Sequence, residues 1–415
     1  MSILRKNILY SGILTTANYI FPLLTYPYVS RVLGVANIGA CNFVDSIINY
    51  FLILSVLGMG TVGIREIAKN KSDKNKLQTT FSQLFTINAI STTVALVVLL
   101  IAMHTIPKLK ENYDLMWIGV LKLVFNYLLI EWFYKGLEVF KYVTSRTIFV
   151  RCLYVLSVFL FVKRNDDVAL YYLLTSATIV VNAIVNLIYA RKFIKIKFCF
   201  SSLKDLTKSV CALGVYNILT SLYTTFNVAY LGFISSETQV GYYTTSTKIH
   251  TIILMAFTAV TGVLMPRMAS ILSEKKYGEY VRLIKKSFFI LLVFSIPCVI
   301  IIEFFAPLII KIIAGSGYEG AILPLRIIAP LVLIIGIEQI LITQSLMPMG
   351  KDRAVLINSM IGAVVGIIAN LILVPYLESI GSAIVWLISE IAVMLSAFFF
   401  FRREWNLITK NITIQ

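Results

Sequence analysis

About a dozen uninterrupted apolar stretches, each close to the roughly 20 residues that cross a bilayer, govern what this chain can become. They fall at 8–32, 38–64, 81–103, 115–136, 147–162, 169–189, 210–234, 241–265, 287–309, 323–347, 355–374 and 381–401. The composition follows from them. Of 415 residues, 59% are hydrophobic and only 14% charged, against roughly 25% charged in soluble domains. Lipid offers backbone groups no hydrogen bonds, so only helices and closed barrels span it. The apolar runs do not alternate with period two, which excludes a barrel. The predicted fold is therefore an all-α polytopic membrane protein of about twelve transmembrane helices.

The net charge of +17 does not point to nucleic acid, because the basic residues are scattered over short connections and form no basic domain. About 27 of the 37 lysines and arginines flank the spans on one side, among them Arg5, Lys6, Arg65, Arg191, Arg267, Lys351 and Arg402. The other side holds only Arg31, Lys108, Lys110, Lys163, Arg164 and Lys311. Positive flanks stay inside, so both termini are expected in the cytoplasm of a bacterial inner membrane. The first apolar segment lacks a small-residue cleavage site and contains two prolines, so it reads as an uncleaved span. The longest connections, around 190–209 and 266–286, are too short for an extramembrane catalytic domain. In the second, Ile271, Tyr277, Val281 and Ile284 alternate with lysines. That pattern suits a surface-lying amphipathic helix, or flanking charge that only orients spans eight and nine.

Metal and nucleophile chemistry find little support. The five cysteines form no CxxC pair, and neither a disulfide, a zinc site nor a cofactor is expected. Gly58, Gly60 and Gly63 fit GxGxxG, but they close an apolar span with no preceding strand, which favours close helix packing.

Shifting the chain by 202 residues lays Ile38-Gly39-Ala40-Cys41 on Val240-Gly241-Tyr242-Tyr243 and Arg65 on Arg267. The shift keeps every span's direction, so it predicts a parallel repeat of two pseudo-symmetric six-helix lobes, 1–200 and 201–415. Arg65 and Arg267 then mark equivalent cytoplasmic boundaries, a place for gating contacts.

Charges inside the apolar stretches cost about 2.5–3.5 kcal/mol each on insertion scales and usually face the bundle interior. They are Asp45, Lys122, Glu131, Arg151, Lys248, Glu303, Arg326, Glu338 and Glu390. Glu131 and Arg151 share a depth on antiparallel neighbours and are expected to form a structural pair. Arg326 and Glu303 lie near span ends, where they can snorkel. Under the repeat Asp45 meets Thr247, next to Lys248, which suggests a cross-lobe latch or the lining of a polar cavity. His250, on the same span, is a candidate proton relay.

Several blocks resemble the Wzx-type flippases that export O-antigen and other polysaccharides. The most specific is Phe21-Pro22-Leu23-Leu24-Thr25-Tyr26-Pro27-Tyr28-Val29-Ser30-Arg31-Val32-Leu33-Gly34. Gly63-Ile64-Arg65-Glu66-Ile67-Ala68, Trp132-Phe133-Tyr134-Lys135-Gly136-Leu137-Glu138, Met347-Pro348-Met349-Gly350-Lys351 and Ile380-Gly381-Ser382-Ala383 are similar too. The resemblance implies the fold of the multidrug/oligosaccharidyl-lipid/polysaccharide exporters, two lobes in a V around a central cationic cavity. It implies an undecaprenyl-pyrophosphate-linked oligosaccharide as substrate, flipped between leaflets by alternating access. Proton or sodium coupling and contact with polysaccharide assembly proteins would accompany it. Arg31, Lys122, Lys248 and Arg326 would then attract the pyrophosphate, with Asp45 beside them. Tyr28, Tyr223 and Tyr242 would stack on sugars. Two rivals remain: a drug or cation antiporter of the same superfamily, and a membrane-embedded polysaccharide enzyme.

Overall fold

The computed structural model describes residues 3–201 and 203–414, most of them with side chains. Among them there is helix and no strand. Eight helical stretches are long and apolar enough to cross a bilayer. Two of these, Gly12–Asn70 and Asp352–Asn406, are each too long for one crossing. Each is broken near its middle and holds two spans. At Gly34 (φ 75, ψ 170) the chain takes a backbone conformation open to glycine, which separates spans one and two. At Glu378 (φ 49, ψ −121) a non-glycine does the same between spans eleven and twelve. The seventh span is Lys204–Thr224 continued by Phe226–Ile234, and the eighth is Glu237–Ser273.

The chain forms two compact units, Met1–Ser221 and Leu222–Gln415. The first takes in most of span seven's opening helix because Gly58 and Gly214 admit close backbone approach. Gly58 N donates to Val210 O at 3.1 Å, and a Cβ at Gly214 would lie 2.8 Å from that of Leu57. A Cβ at Gly58 would be 2.7 Å from Val210 O, and one at Gly63 would be 2.8 Å from the Trp132 ring. Two of the three glycines in that motif thus serve helix packing, while Gly60 faces open space.

Span four in the first unit is Tyr113–Asn126, a tight turn at Tyr127–Leu129 and a short helix Glu131–Gly136. The break centres on Ile130, which is left-handed (φ 36) without being glycine. Carbonyls freed by the break need donors in a lipid-surrounded bundle. Asn186 of span six (Val168–Ala190) donates to Leu129 O. Asn88 of span three (Lys74–Thr105) reaches Tyr127 O at 3.4 Å. Below the break Trp132, Phe133 and Tyr134 are buried with Phe81, Phe85, Ile67 and Leu77 in one apolar cluster. Span five runs Phe140–Phe161, starting ahead of position 147 as the shortness of its apolar stretch implied.

In the second unit, spans eight and nine (Tyr277–Ile313) are joined by a turn at Glu274–Lys276, with Lys275 at φ 57. Ile271, Tyr280 and Ile284 are buried with Met268 and Leu291 between the two helices. The segment around 270–286 therefore packs into the bundle, and the surface-lying helix considered for it does not form. Span ten is built from Ile322–Ile328, Leu331–Glu338 and a π-helical stretch Gln339–Leu346. The 202-residue shift is visible in these breaks. The end of span one at Gly34 falls on the Ser236 cap of span eight, and the start of span three at Lys74 falls within one residue of Tyr277.

Candidate functional site: buried polar clusters in each unit

Three polar clusters lie among the apolar helices. The first joins spans two, four and six. Lys122 is 4% exposed, and its Nζ sits on the Asp45 carboxylate. Tyr172 donates to the same carboxylate oxygen at 3.1 Å, while the ammonium lies 4.5 Å from the Tyr172 ring centre. A buried ammonium needs such a carboxylate, since removing one partner strands the other charge. The repeat sets Asp45 level with Lys248; the partner found for it is Lys122. Asp45 is neutralised within its own unit, by a lysine on an adjacent helix. The exposures are unequal, 40% for the Asp45 side chain and 5% for Lys122, so the acid faces outward and the base inward.

The second cluster surrounds the break in span four. Arg146 Nη2 donates to Glu131 Oε1 at 2.8 Å and to Thr147 Oγ1 at 2.9 Å. Its Nη1 donates to Asn186 Oδ1, and Lys135 meets the other Glu131 oxygen at 3.1 Å. The expected Glu131–Arg151 pair is thus replaced by Glu131–Arg146. The reason is the early start of span five, which draws Arg146 from the predicted connection into the helix, 4% exposed. Arg151 instead donates to Ala17 O at 3.3 Å.

The third cluster, in the second unit, holds four groups from three spans. Trp386 Nε1 donates to Glu390 Oε1 at 2.9 Å, and the Glu390 carboxyl acts electrostatically on the buried Glu338 carboxyl. His250 is fully buried, with its ring edge-on to Trp386 at 5.0 Å. Neither of its ring nitrogens has a hydrogen-bond partner, and Glu338 Oε1 has none either. Nearby, Asn370 donates to Asn227 at 2.6 Å and Asn227 to the Tyr243 hydroxyl at 3.2 Å.

The remaining predicted residues are placed singly. Arg31 is exposed and donates to Pro27 O. Lys248 is half-buried on the helix that carries His250. Arg326 donates to Glu303 O at 3.1 Å. Tyr28 donates to Val162 O at 2.7 Å, its ring 4.6 Å from that of Phe159. Tyr242 lies flat over Gly320, where a Cβ would come within 2.3 Å of its ring. Both tyrosines are thereby engaged in packing. The side chain of Tyr223 lies outside the described residues. Arg65 pairs with Glu66 at 2.8 Å and Arg267 with Glu279 at 2.7 Å, both arginine side chains being exposed. Sequence reasoning did not assign roles to Arg146, Asn186 or the Glu338–Glu390 pair. For Trp386 and Glu390 the four-residue spacing on one helix was the available signal. Among the described residues no three His, Cys, Asp or Glu side chains converge as a metal site.

Comparison with known proteins gives this arrangement relatives. A protein of Escherichia coli (strain K12) named "Putative O-antigen transporter" is 27% identical over 397 residues, covering 94% of each chain. One of the same name from Shigella dysenteriae is 23% identical over 409 residues, covering 94% of this chain and 98% of its own. Among solved structures, an inward-facing multidrug resistance MATE family transporter of the MOP superfamily superposes with a TM-score of 0.76. It is 15% identical, with 94% of this chain and 95% of that one covered. The lipid II flippase MurJ, in an inward closed conformation, gives 0.71 at 15% identity, with 95% and 87% covered. At that identity the superpositions establish a shared fold. Residues 4–272, well over half of the chain, match the family described as "Polysaccharide biosynthesis protein", and the chain is a multi-pass membrane member of that family.

Proposed function

We propose that the protein is a transporter that flips an anionic, lipid-linked oligosaccharide from one leaflet to the other. Its cargo would be the undecaprenyl-pyrophosphate-linked repeat unit of an O-antigen or related surface polysaccharide, moved from the cytoplasmic to the periplasmic leaflet of the bacterial inner membrane. The observation that carries this reading is near-full-length similarity to two proteins that bear the name "Putative O-antigen transporter", on a chain whose polar clusters are buried among membrane helices. The chemistry agrees. A pyrophosphate on a polyprenyl tail needs cationic groups for its head and lipid for its tail. Arg31, Lys248 and Arg326, which donates to Glu303 O, are the basic groups proposed to meet the phosphates. Arginine suits phosphate because its fork donates two parallel hydrogen bonds.

A strain lacking its own polysaccharide flippase tests the reading. Expression of this chain should restore surface polysaccharide, and charge reversal at Arg31 or Lys248 should abolish it at normal protein abundance. Lys248→Arg should retain more export than Lys248→Ala. No restoration across strains of differing sugar chemistry, with resistance to cationic drugs appearing instead, would transfer the protein to the drug antiporters.

A further inference from the structure

Spans three and five carry the large apolar side chains that a lipid-facing helix needs. Ile90, Val94, Val98 and Ile101 are exposed on the one, and Leu153, Leu156 and Leu160 on the other. Span two differs: between residues 38 and 56 no large apolar side chain is exposed. What lies open on that helix is polar. Asn42, Asp45 and Asn49 are half-buried and, at intervals of three and four residues, share one face. Charged groups inside the membrane face the bundle interior or a water-filled cavity. This face of span two is therefore wet.

The Asp45 carboxylate is held there in a fixed orientation. Lys122 Nζ and the Tyr172 hydroxyl both donate to Oδ1, from spans four and six, and both side chains are buried. Among the described residues no hydrogen bond reaches Oδ2. An ionised carboxylate is acceptor-only, with lone pairs on both oxygens. One oxygen is thus used for anchoring and the other is left to the open side, where the Asp45 side chain is 40% exposed. Lys122 already balances the charge, so the pair draws neither an anion nor a second cation strongly. What remains is a directed acceptor for a neutral O–H group, flanked by two side-chain amides that both donate and accept.

We infer that Asp45, with Asn42 and Asn49 beside it, is a sugar-binding subsite that accepts hydrogen bonds from hydroxyl groups of the cargo's oligosaccharide. The identity of the cargo rests on the transport reading above; the subsite adds which part of that cargo the first unit reads. A sugar hydroxyl donates and accepts, which suits a carboxylate set between two amides. A pyrophosphate diester has no proton to give at neutral pH and is repelled by a carboxylate, so the subsite and the basic groups take different parts of the head group. Anchoring by Lys122 and Tyr172 also lowers the cost of ordering the Asp45 side chain on binding.

Calorimetric titration of the purified full-length protein tests the subsite with three kinds of probe. These are bare polyprenyl pyrophosphate, the same lipid carrying one hexose, and the monodeoxy analogues of that hexose lipid. The wild type should bind the hexose lipid about tenfold to a hundredfold more tightly than at least one monodeoxy analogue, the worth of a hydrogen bond to a charged group. Asp45→Asn combined with Lys122→Met removes both charges together and strands neither. That variant should bind bare lipid as the wild type does and lose most of the preference for the missing hydroxyl. Asn49→Ala, which leaves the ion pair intact, should reduce the preference severalfold. A wild type that binds the hexose lipid and every monodeoxy analogue equally overturns the proposal, as does a double variant that keeps the full preference. Should the double variant fail to fold, an undiminished preference in Asn49→Ala overturns it instead. Bare lipid reports on the transport reading. If no lipid binds and polysaccharide is not restored, that reading fails and the subsite with it. If bare lipid binds and polysaccharide is restored without any hydroxyl preference, the subsite alone fails.

Discussion

Arg146 and Glu131 are joined at 2.8 Å, and with them span five is fastened to the broken end of span four. The arginine side chain is 4% exposed and the glutamate 27%. Glu131 opens the short helix Glu131–Gly136, where a negative charge also complements the unpaired N–H groups of the first turn. Removing one partner of such a pair costs roughly 3–5 kcal/mol. Arg146→Ala and Glu131→Ala should therefore lower abundance and thermal stability sharply. Arg151→Ala, which loses a hydrogen bond to Ala17 O, should cost only about 1 kcal/mol. Equal losses from Arg151→Ala and Arg146→Ala in a thermal unfolding assay would contradict the assignment.

Asn186 is the hub of the same region. It donates to Leu129 O and accepts from Arg146 and Tyr142. Asn186→Leu keeps the volume and strands these groups, at roughly 1–3 kcal/mol for each that finds no substitute. A melting temperature unchanged in the purified variant would show that the broken span does not depend on this amide.

The three glycines closing span two should respond differently to a single methyl group. At Gly58 a Cβ would meet the Val210 carbonyl oxygen at 2.7 Å and Leu213 at 2.5 Å, and at Gly63 the Trp132 ring at 2.8 Å. Overpacking of this kind costs about 1–3 kcal/mol. Gly60 faces open space, so Gly60→Ala should stay within about 0.5 kcal/mol of wild type. The ranking is read from unfolding midpoints, and an equal response at all three positions would refute it.

Cys199 gives a native probe of orientation. Its Sγ is 3.2 Å from the Ser201 hydroxyl, and hydrogen bonds from the Ser201 side chain and backbone hold the thiol below its ordinary range. More thiolate is therefore present at neutral pH, and reaction with a maleimide should slow as pH falls through the lowered value. Ser201→Ala should raise the thiol back and slow labelling at neutral pH. With the 190–209 connection expected in the cytoplasm, a membrane-impermeant maleimide should label Cys199 only after permeabilisation. Labelling in intact cells would invert the topology.

The spans themselves were legible because hydropathy encodes depth directly, and the breaks at Gly34 and Ser236 follow the repeat seen in the residues. What a sequence does not encode is azimuth. Asp45 and Lys248 share a predicted depth, yet the acid meets Lys122, on an adjacent helix of its own unit. Arg146 precedes the apolar stretch at 147–162, and only the early start of span five shows it buried. The break at Ile130 has no glycine or proline beside it, whereas Pro375 and Gly381 flank the one at Glu378. Gly381, close to the second, is used for contact with Leu373 O, where a Cβ would come within 2.8 Å. Both bends are held by partners distant in sequence, and at Ile130 no local pattern reveals the break.

The bend at Glu378 bears on how the protein is made. A non-glycine residue at positive φ costs about 1–3 kcal/mol, and here Ser235 compensates by donating to the Glu378 carboxylate at 2.7 Å, across 143 residues. Asn227 and Asn370 bridge the same separation, and Ser379 donates to Gln239. The ribosome delivers the Ser235 reversal long before its partner, so the seventh and eighth helices enter the bilayer with these polar groups still waiting. Only when the last helical hairpin arrives are they satisfied, which makes insertion of the final two spans the closing step of assembly for the second half of the chain.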